Sequence, residues 1–320
     1  MNSKIIVSIL DFIKQTHIFT VVKQAFVPET IYKKNYALGI FTGTSPLNLS
    51  SPDSIKNPVL TAEDVTDVPA VYVADPFLIQ KEGAWYMFFE VLNRESRKGE
   101  IAVAQSDDGF GWKYNQIVLS EPFHLSYPHV FAWDHQYYMI PESAEAEGIR
   151  LYQAEAFPHQ WSLVKTILPG RYADPSVFYF KQQWWLFAGQ GHGRLYLFVA
   201  DDLLGPWSQH PQSPMIIGDP HRARPGGRVV AWDGKLIRFA QDDFPTYGLR
   251  VHAFEITELS GEVYRERLLA ESLLKPQGRG WNAAGMHHIC PWEVRENHWL
   301  AAVDGWSQRV KAFPRKQSPE

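Results

Sequence analysis

Asp75-Pro76-Phe77-Leu78-Ile79, answered by Trp85-Tyr86-Met87-Phe88-Phe89-Glu90, decides the fold, because the same couplet returns four more times. A Pro- or His-marked opening runs into an apolar strand, and an aromatic-rich strand follows about ten residues later. The later openings are Tyr127-Pro128-His129-Val130-Phe131, Asp174-Pro175-Ser176-Val177-Phe178, Arg224-Pro225-Gly226-Gly227-Arg228-Val229 and His287-His288-Ile289-Cys290-Pro291-Trp292. Their answers occupy residues 137–142, 184–188, 236–240 and 299–304. Successive openings lie 47 to 63 residues apart, the period of a propeller blade of about four strands. The expected fold is all-β, a five-bladed β-propeller over residues 36–312. A short helical extension and linker (1–35) precedes it and a disordered tail (313–320) follows. In such a fold the first strand of every blade lines one axis, so residues far apart in sequence face a single pocket.

The remaining strands fit the same frame. Gly99-Glu100-Ile101-Ala102-Val103-Ala104, Gly148-Ile149-Arg150-Leu151-Tyr152 and Gly193-Arg194-Leu195-Tyr196-Leu197 read as third strands. Tyr36-Ala37-Leu38-Gly39-Ile40-Phe41 resembles them, while the fifth unit has little chain left after Asp304. The early strand is therefore expected to complete the last blade and hide its open edge.

Bulk properties exclude several classes. A net charge of −4 gives no sign of a nucleic-acid binder. One cysteine, Cys290, rules out an internal disulfide and a multi-cysteine metal site; it sits in an apolar strand and reads as buried and inert. Ile5-Ile6-Val7-Ser8-Ile9-Leu10 is too short for a signal-peptide core or a spanning helix, so a cytoplasmic location is expected. Residues 4–23 carry apolar residues at roughly helical spacing. They read as an amphipathic helix packed on the propeller, with a membrane or partner contact as the alternative.

The candidate chemistry sits at the openings. Asp75 and Asp174 both occur as Ala-Asp-Pro at the start of a first strand. A single Asp before Pro is ordinarily a turn residue capping nearby N–H groups. Two in register at blade openings put at least one carboxylate in an axial pocket. Glu90 and Glu142 end second strands and can serve as an acid or bind sugar hydroxyls. Tyr127 and His129 open the second unit and read as pocket hydrogen-bonders. Arg224 and Arg228 either hold a phosphate or uronate through their guanidinium forks, or pair with axial aspartates and stiffen the core. His287 and His288 are adjacent on a strand, so one faces the axis, and His288 is taken as that residue. A lone inward histidine does not make a metal site, and neither a metal nor another cofactor is expected. Gly189-Gln190-Gly191-His192-Gly193 joins two strands and reads as a hairpin. Ser106-Asp107-Asp108-Gly109-Phe110-Gly111-Trp112 reads as a hairpin-stabilising turn.

Asp-Pro openings in units one and three resemble the family-43 glycoside hydrolases. That resemblance implies a general base at Asp75 and a carboxylate at Asp174 that tunes the acid and orients the sugar. The hydrolase acid, a Glu opening unit four, has no counterpart in His221-Arg222-Ala223-Arg224-Pro225. Closer in sequence is the N-terminal domain family of plant glucosamine inositolphosphorylceramide transferase and its free-standing bacterial relatives. Val65-Thr66-Asp67-Val68-Pro69-Ala70, His124-Leu125-Ser126-Tyr127-Pro128, Met139-Ile140-Pro141-Glu142-Ser143 and Asp201-Asp202-Leu203-Leu204-Gly205-Pro206-Trp207 look like that family. In the plant protein a separate glycosyltransferase domain follows the propeller, so the transferase activity does not carry over directly. The resemblance implies a carbohydrate-active protein, by glycosyl transfer or glycoside processing, acting on a carbohydrate, sugar phosphate or glycolipid headgroup. The alternative is a recognition module that supports a partner glycosyltransferase.

Overall fold

In the computed structural model, residues 31–191 and 193–311 are described. The helix expected before residue 31 and the tail after 312 lie outside them. The described residues form a five-bladed β-propeller whose compact unit is Asn35–Ser307. The chain enters on β1 (Ile31–Ser45) and β2 (Asn48–Ser50). Blade one is β3 (Ala70–Lys81), β4 (Ala84–Asn93), β5 (Gly99–Ser106) and β6 (Lys113–Leu119). Blade two is β7 (Ser126–Trp133), β8 (Gln136–Glu142), β9 (Gly148–Ala156) and β10 (Gln160–Pro169). Blade three is β11 (Ala173–Phe180), β12 (Gln183–Gln190), β13 (Arg194–Ala200) and β14 (Ser208–Gln209). Blade four has a split first strand, β15 (Arg224–Pro225) and β16 (Val230–Trp232), then β17 (Lys235–Asp242), β18 (Arg250–Leu259) and β19 (Tyr264–Leu274). Blade five begins with β20 (Ile289–Arg295) and β21 (His298–Lys311).

The fifth blade closes as the sequence suggests. Its strand order is β2-β1-β21-β20, so strands from both ends of the propeller share one sheet. Closure pairs the edge that β21 would otherwise present and leaves only the short β2 at the outside of the blade. Blades one and five also meet through the Trp85 and Trp292 rings, edge-on at 5.8 Å. At the junction of blades one and two, Phe157 packs edge-on against Tyr86 at 4.9 Å and tilted by 32° against Tyr137 at 4.2 Å. Such ring pairs add about 0.5–1.5 kcal/mol each beyond the area they bury.

Hairpins are tied by local polar contacts. Asp108 Oδ1 accepts from the N–H groups of Phe110 (2.7 Å) and Gly111 (2.9 Å), and Trp112 Nε1 donates to Gly109 O. The 106–112 segment is thus a structural turn. Cys290 is fully buried, and its Sγ accepts from Leu78 N at 3.2 Å. Among the described residues, no helix is long and apolar enough to cross a membrane.

Candidate functional site

Three first strands start with the same irregularity. Pairing with the second strand jumps from Ala74 to Phe77 in blade one, Ser126 to His129 in blade two and Ala173 to Ser176 in blade three. Inside each jump lies the residue before proline. Asp75, Tyr127 and Asp174 have φ values of 55°, 47° and 51°. Left-handed backbone at such residues costs on the order of 1–3 kcal/mol each and persists only where the surroundings impose it. The bulge re-aims the side chain, a common use of this irregularity beside functional sites. Here each of the three side chains reaches a neighbouring blade.

Register identifies the facing positions at the ends of the second strands. Glu90 pairs with Ala74, Glu142 with Ser126, Gly189 with Ala173 and Gln241 with Arg224. Asp304 follows Val303, the partner of Ile289. Four of the five blades place a polar side chain there and the third has glycine. Gly189 accordingly lines an open cavity of about 620 Å3 together with Arg224, Arg194, Asp243, Phe244 and Tyr247.

Asp174 is the best-partnered carboxylate. Its Oδ2 accepts from Arg224 Nε at 2.6 Å and Gln241 Nε2 at 2.7 Å, and its own N–H donates to Glu142 Oε2 at 3.2 Å. Burial opposes its charge, yet the Arg224 guanidinium holds its pKa below the usual range. Arg224 Nη2 also reaches Glu142 Oε2 at 3.4 Å. Glu142 is pushed well up by burial and by the Asp174 charge.

Asp75 is held differently. Its N–H donates to Asp304 Oδ2 at 3.1 Å, and its Oδ1 has no hydrogen-bond partner among the described residues. His287 Nδ1 lies 2.7 Å from Asp304, while Nε2 of the same ring faces Asp75 Oδ1 at 3.8 Å. Burial raises Asp75 to about 7, with His287 pulling against it and Asp174 and Asp304 reinforcing it. For His287 burial disfavours the charge, but Asp304 and Asp75 outweigh it and lift the ring to about 9. Glu90 is raised well above its usual value by burial and by Asp75 and Glu142. It faces Tyr72 OH at 3.3 Å and His124 Nε2 at 3.4 Å. His124 Nδ1 accepts from Gly99 N–H, which fixes the ring as the Nε2–H tautomer.

The candidates from sequence therefore fall into two groups. Asp75, Glu90, Glu142, Asp174 and Arg224 are brought together. Tyr127, His129, Arg228 and His288 are built into the packing. Tyr127 is fully buried, its OH bridging Ser176 Oγ and Gly227 N, both at 2.7 Å. His129 stacks on Phe77 and accepts from Val177 N. Arg228 donates to Leu78 O at 2.6 Å and Val130 O at 3.3 Å, a brace between blades. His288 is fully buried against Phe77 and Tyr127, and burial drives its pKa to about 3. Both adjacent histidines border Asp75 Oδ1, His288 through Nδ1 at 3.6 Å and His287 through Nε2 at 3.8 Å, and the His287 ring also engages Asp304. Sequence reading passed over Asp304, although it ends a second strand just as Glu90 and Glu142 do. It also passed over Tyr247, whose ring meets Arg224 (5.1 Å) and His287 (5.4 Å) from the β17–β18 loop.

Asp75, His287 and Asp304 present potential ligand atoms within 4.8 Å of one another. As a cation site the trio fits poorly. Asp304 already accepts from the backbone N–H of Asp75, His287 and His288 and from the His287 ring, so its lone pairs are engaged.

This architecture is that of the glycoside-hydrolase propellers. A putative glycoside hydrolase from Parabacteroides distasonis superposes with a TM-score of 0.60 at 10% identity, covering 79% of this chain and 95% of that one. An exo-1,5-alpha-L-arabinanase from a bovine ruminal metagenomic library gives 0.54 at 12% identity, covering 77% and 95%. At these identities the likeness is one of fold. The chain belongs to the family described as glucosamine inositolphosphorylceramide transferase 1, N-terminal, whose model matches residues 32–306. Glucosamine inositolphosphorylceramide transferase 1 of Oryza sativa subsp. japonica is 36% identical over 297 residues, and that of Arabidopsis thaliana 32% over 296. Each match covers 85% of this chain and 40% or 39% of the relative, so the chain spans about two fifths of their length.

Proposed function

We propose that the axial pocket binds a glycosyl unit carrying a basic amine and processes its glycosidic bond. The observation that carries this reading is the charge balance. Asp174 pairs with Arg224 and Asp304 with His287, while burial holds Glu90 and Glu142 toward the neutral form, so Asp75 is the carboxylate without a counter-charge of its own. A buried carboxylate without a counter-charge is costly, and an ammonium ligand relieves that cost. The orphaned Asp75 Oδ1 and the Tyr36 hydroxyl, also without a hydrogen-bond partner among the described residues, suit sugar hydroxyls. The name shared by the plant relatives, which includes glucosamine, supports the amine.

In the catalytic step Asp75, poised near neutrality, takes the proton of the attacking hydroxyl. Glu142, kept protonated by burial, gives its proton to the leaving oxygen as the old C–O bond breaks and the new one forms. Asp174 stays ionised on Arg224 and orients the sugar. A carboxyl of raised pKa beside an ionised one is the arrangement acid–base pairs require. The second reading, recognition for a partner glycosyltransferase without turnover, is favoured by Arg224 standing where the hydrolases open unit four with Glu.

Calorimetric titration with glucosamine, glucose and N-acetylglucosamine tests the pocket. Glucosamine should bind at least tenfold tighter than the other two, and Asp75→Asn should remove the preference. Equal binding of all three sinks the amine reading. Release of sugar from an aryl glucosaminide by the wild type, but not by Glu142→Gln, separates processing from recognition.

A further inference from the structure

We propose a second ligand site, for a phosphate ester, in the cleft between the 51–57 loop and the 275–282 loop beside blade five. The cleft has a volume of about 870 Å3. Lys56, Lys275 and Arg279 line it, and Asp53 is the only carboxylate that does. None of the three cations has an ion-pair or hydrogen-bond partner for its charged group among the described residues. The chain as a whole carries −4, so this concentration of unpaired positive charge runs against the bulk composition. By contrast, Arg224 is engaged on Asp174, Arg238 on Glu266 and Arg267 on Glu255.

Both loops are pre-formed. Asn57 exchanges two hydrogen bonds with the Ile40 backbone, each 2.8 Å, and donates to Ser51 Oγ. The second loop is closed by Gln277 N donating to Asn282 O and Gly278 N to Ala283 O, both at 3.1 Å. Trp281 forms one wall. Its ring lies so close to the backbone that a Cβ at Gly39 would sit 2.7 Å from it. Loops fixed before binding lose little entropy when a ligand arrives. Three cations on such loops suit an anion with several acceptor oxygens, and phosphate is the common one. The half-buried Trp281 and Ile55 beside them suit the organic part of an ester. The phosphate reading first attached to Arg224 and Arg228 thus moves to blade five, where the cations are uncommitted.

The site stands independently of the axial pocket, and its test is kept separate. Phenyl phosphate, inorganic phosphate and phenol are titrated into the full chain by calorimetry at low and high salt. Phenyl phosphate should bind at least tenfold tighter than either comparator and weaken steeply with salt. The triple variant Lys56→Gln, Lys275→Gln, Arg279→Gln alters exposed side chains only. It should lose at least tenfold in affinity while keeping its melting temperature and its response to glucosamine. Unchanged phenyl phosphate binding in that variant, or no binding by the wild type, overturns the proposal. Equal affinity for the two phosphates overturns the ester assignment.

Discussion

Arg224 Nε donates to Asp174 Oδ2 at 2.6 Å across the boundary between blades four and three, joining residues fifty positions apart. The pair fixes the ionised carboxylate of the site, and Glu142 leans on the same guanidinium. Arg224→Ala leaves Asp174 buried without its counter-charge. Breaking such a pair should destabilise the protein by roughly 2–4 kcal/mol, read as a shift in the urea midpoint. Arg224→Lys should recover only part of this, because a point charge cannot reproduce the fork.

Asp75→Asn should act in the opposite sense on stability. The folded-state pKa of about 7 lies above the unfolded value of 3.8. The contribution is therefore complete below about 3.8 and lost as pH rises through about 7. Removing the charge should stabilise the protein at pH 8 by roughly 1–3 kcal/mol and flatten the stability profile between those limits. The preference for an amine ligand should vanish in the same variant. Denaturation at pH 5 and pH 8 checks both signs; a variant less stable at pH 8 contradicts the assignment.

His287 gives a second, higher window. Its folded pKa of about 9 exceeds the ordinary histidine value of 6.5, so protonation stabilises the fold below about 6.5 and the effect is lost as pH rises through about 9. Wild-type stability should fall across that range. His287→Gln should show a shallower fall, whatever its absolute stability, in melting curves taken at half-unit steps.

Tyr127→Phe separates architecture from recognition. The hydroxyl receives Gly227 N–H and meets Ser176 Oγ in a fully buried setting. Its loss strands a buried donor and should cost about 1–3 kcal/mol. Glucosamine affinity should stay within twofold of the wild type, because the ring does not reach the pocket.

Phe244→Ala tests the cavity mouth. This ring is 56% exposed on the β17–β18 loop and lines the cavity above Gly189. Its removal should leave the melting temperature unchanged and weaken a sugar ligand by about fivefold, near the 1 kcal/mol expected of an aromatic contact.

The propeller was legible because each blade repeats a turn followed by two apolar strands, and periodicity survives without side-chain detail. Asp75, Asp174, Glu90 and Glu142 were legible for the same reason: they recur at equivalent positions of the repeat. Asp304 carried that signal too, but it was masked by the attention the adjacent histidines draw. Both His287 and His288 border Asp75 Oδ1, at 3.8 and 3.6 Å, an outcome that strict alternation along a strand does not suggest. The fates of Arg224 and Arg228 were not legible at all. An arginine side chain is long enough to reach several partners, and the bulges at Asp174 and Tyr127 in the neighbouring blades help decide which carbonyls and carboxylates lie within range.

The fifth blade has a consequence for how the molecule is made. Its sheet joins β1 and β2 to β20 and β21, so β1 leaves the ribosome more than two hundred residues before its partner β21. Contacts of such separation in sequence form slowly. Until β21 arrives, β1 presents one unpaired edge to its surroundings, which exposes the nascent chain to aggregation. Trimming the chain within β21 should therefore remove not one strand but the clasp of the whole ring.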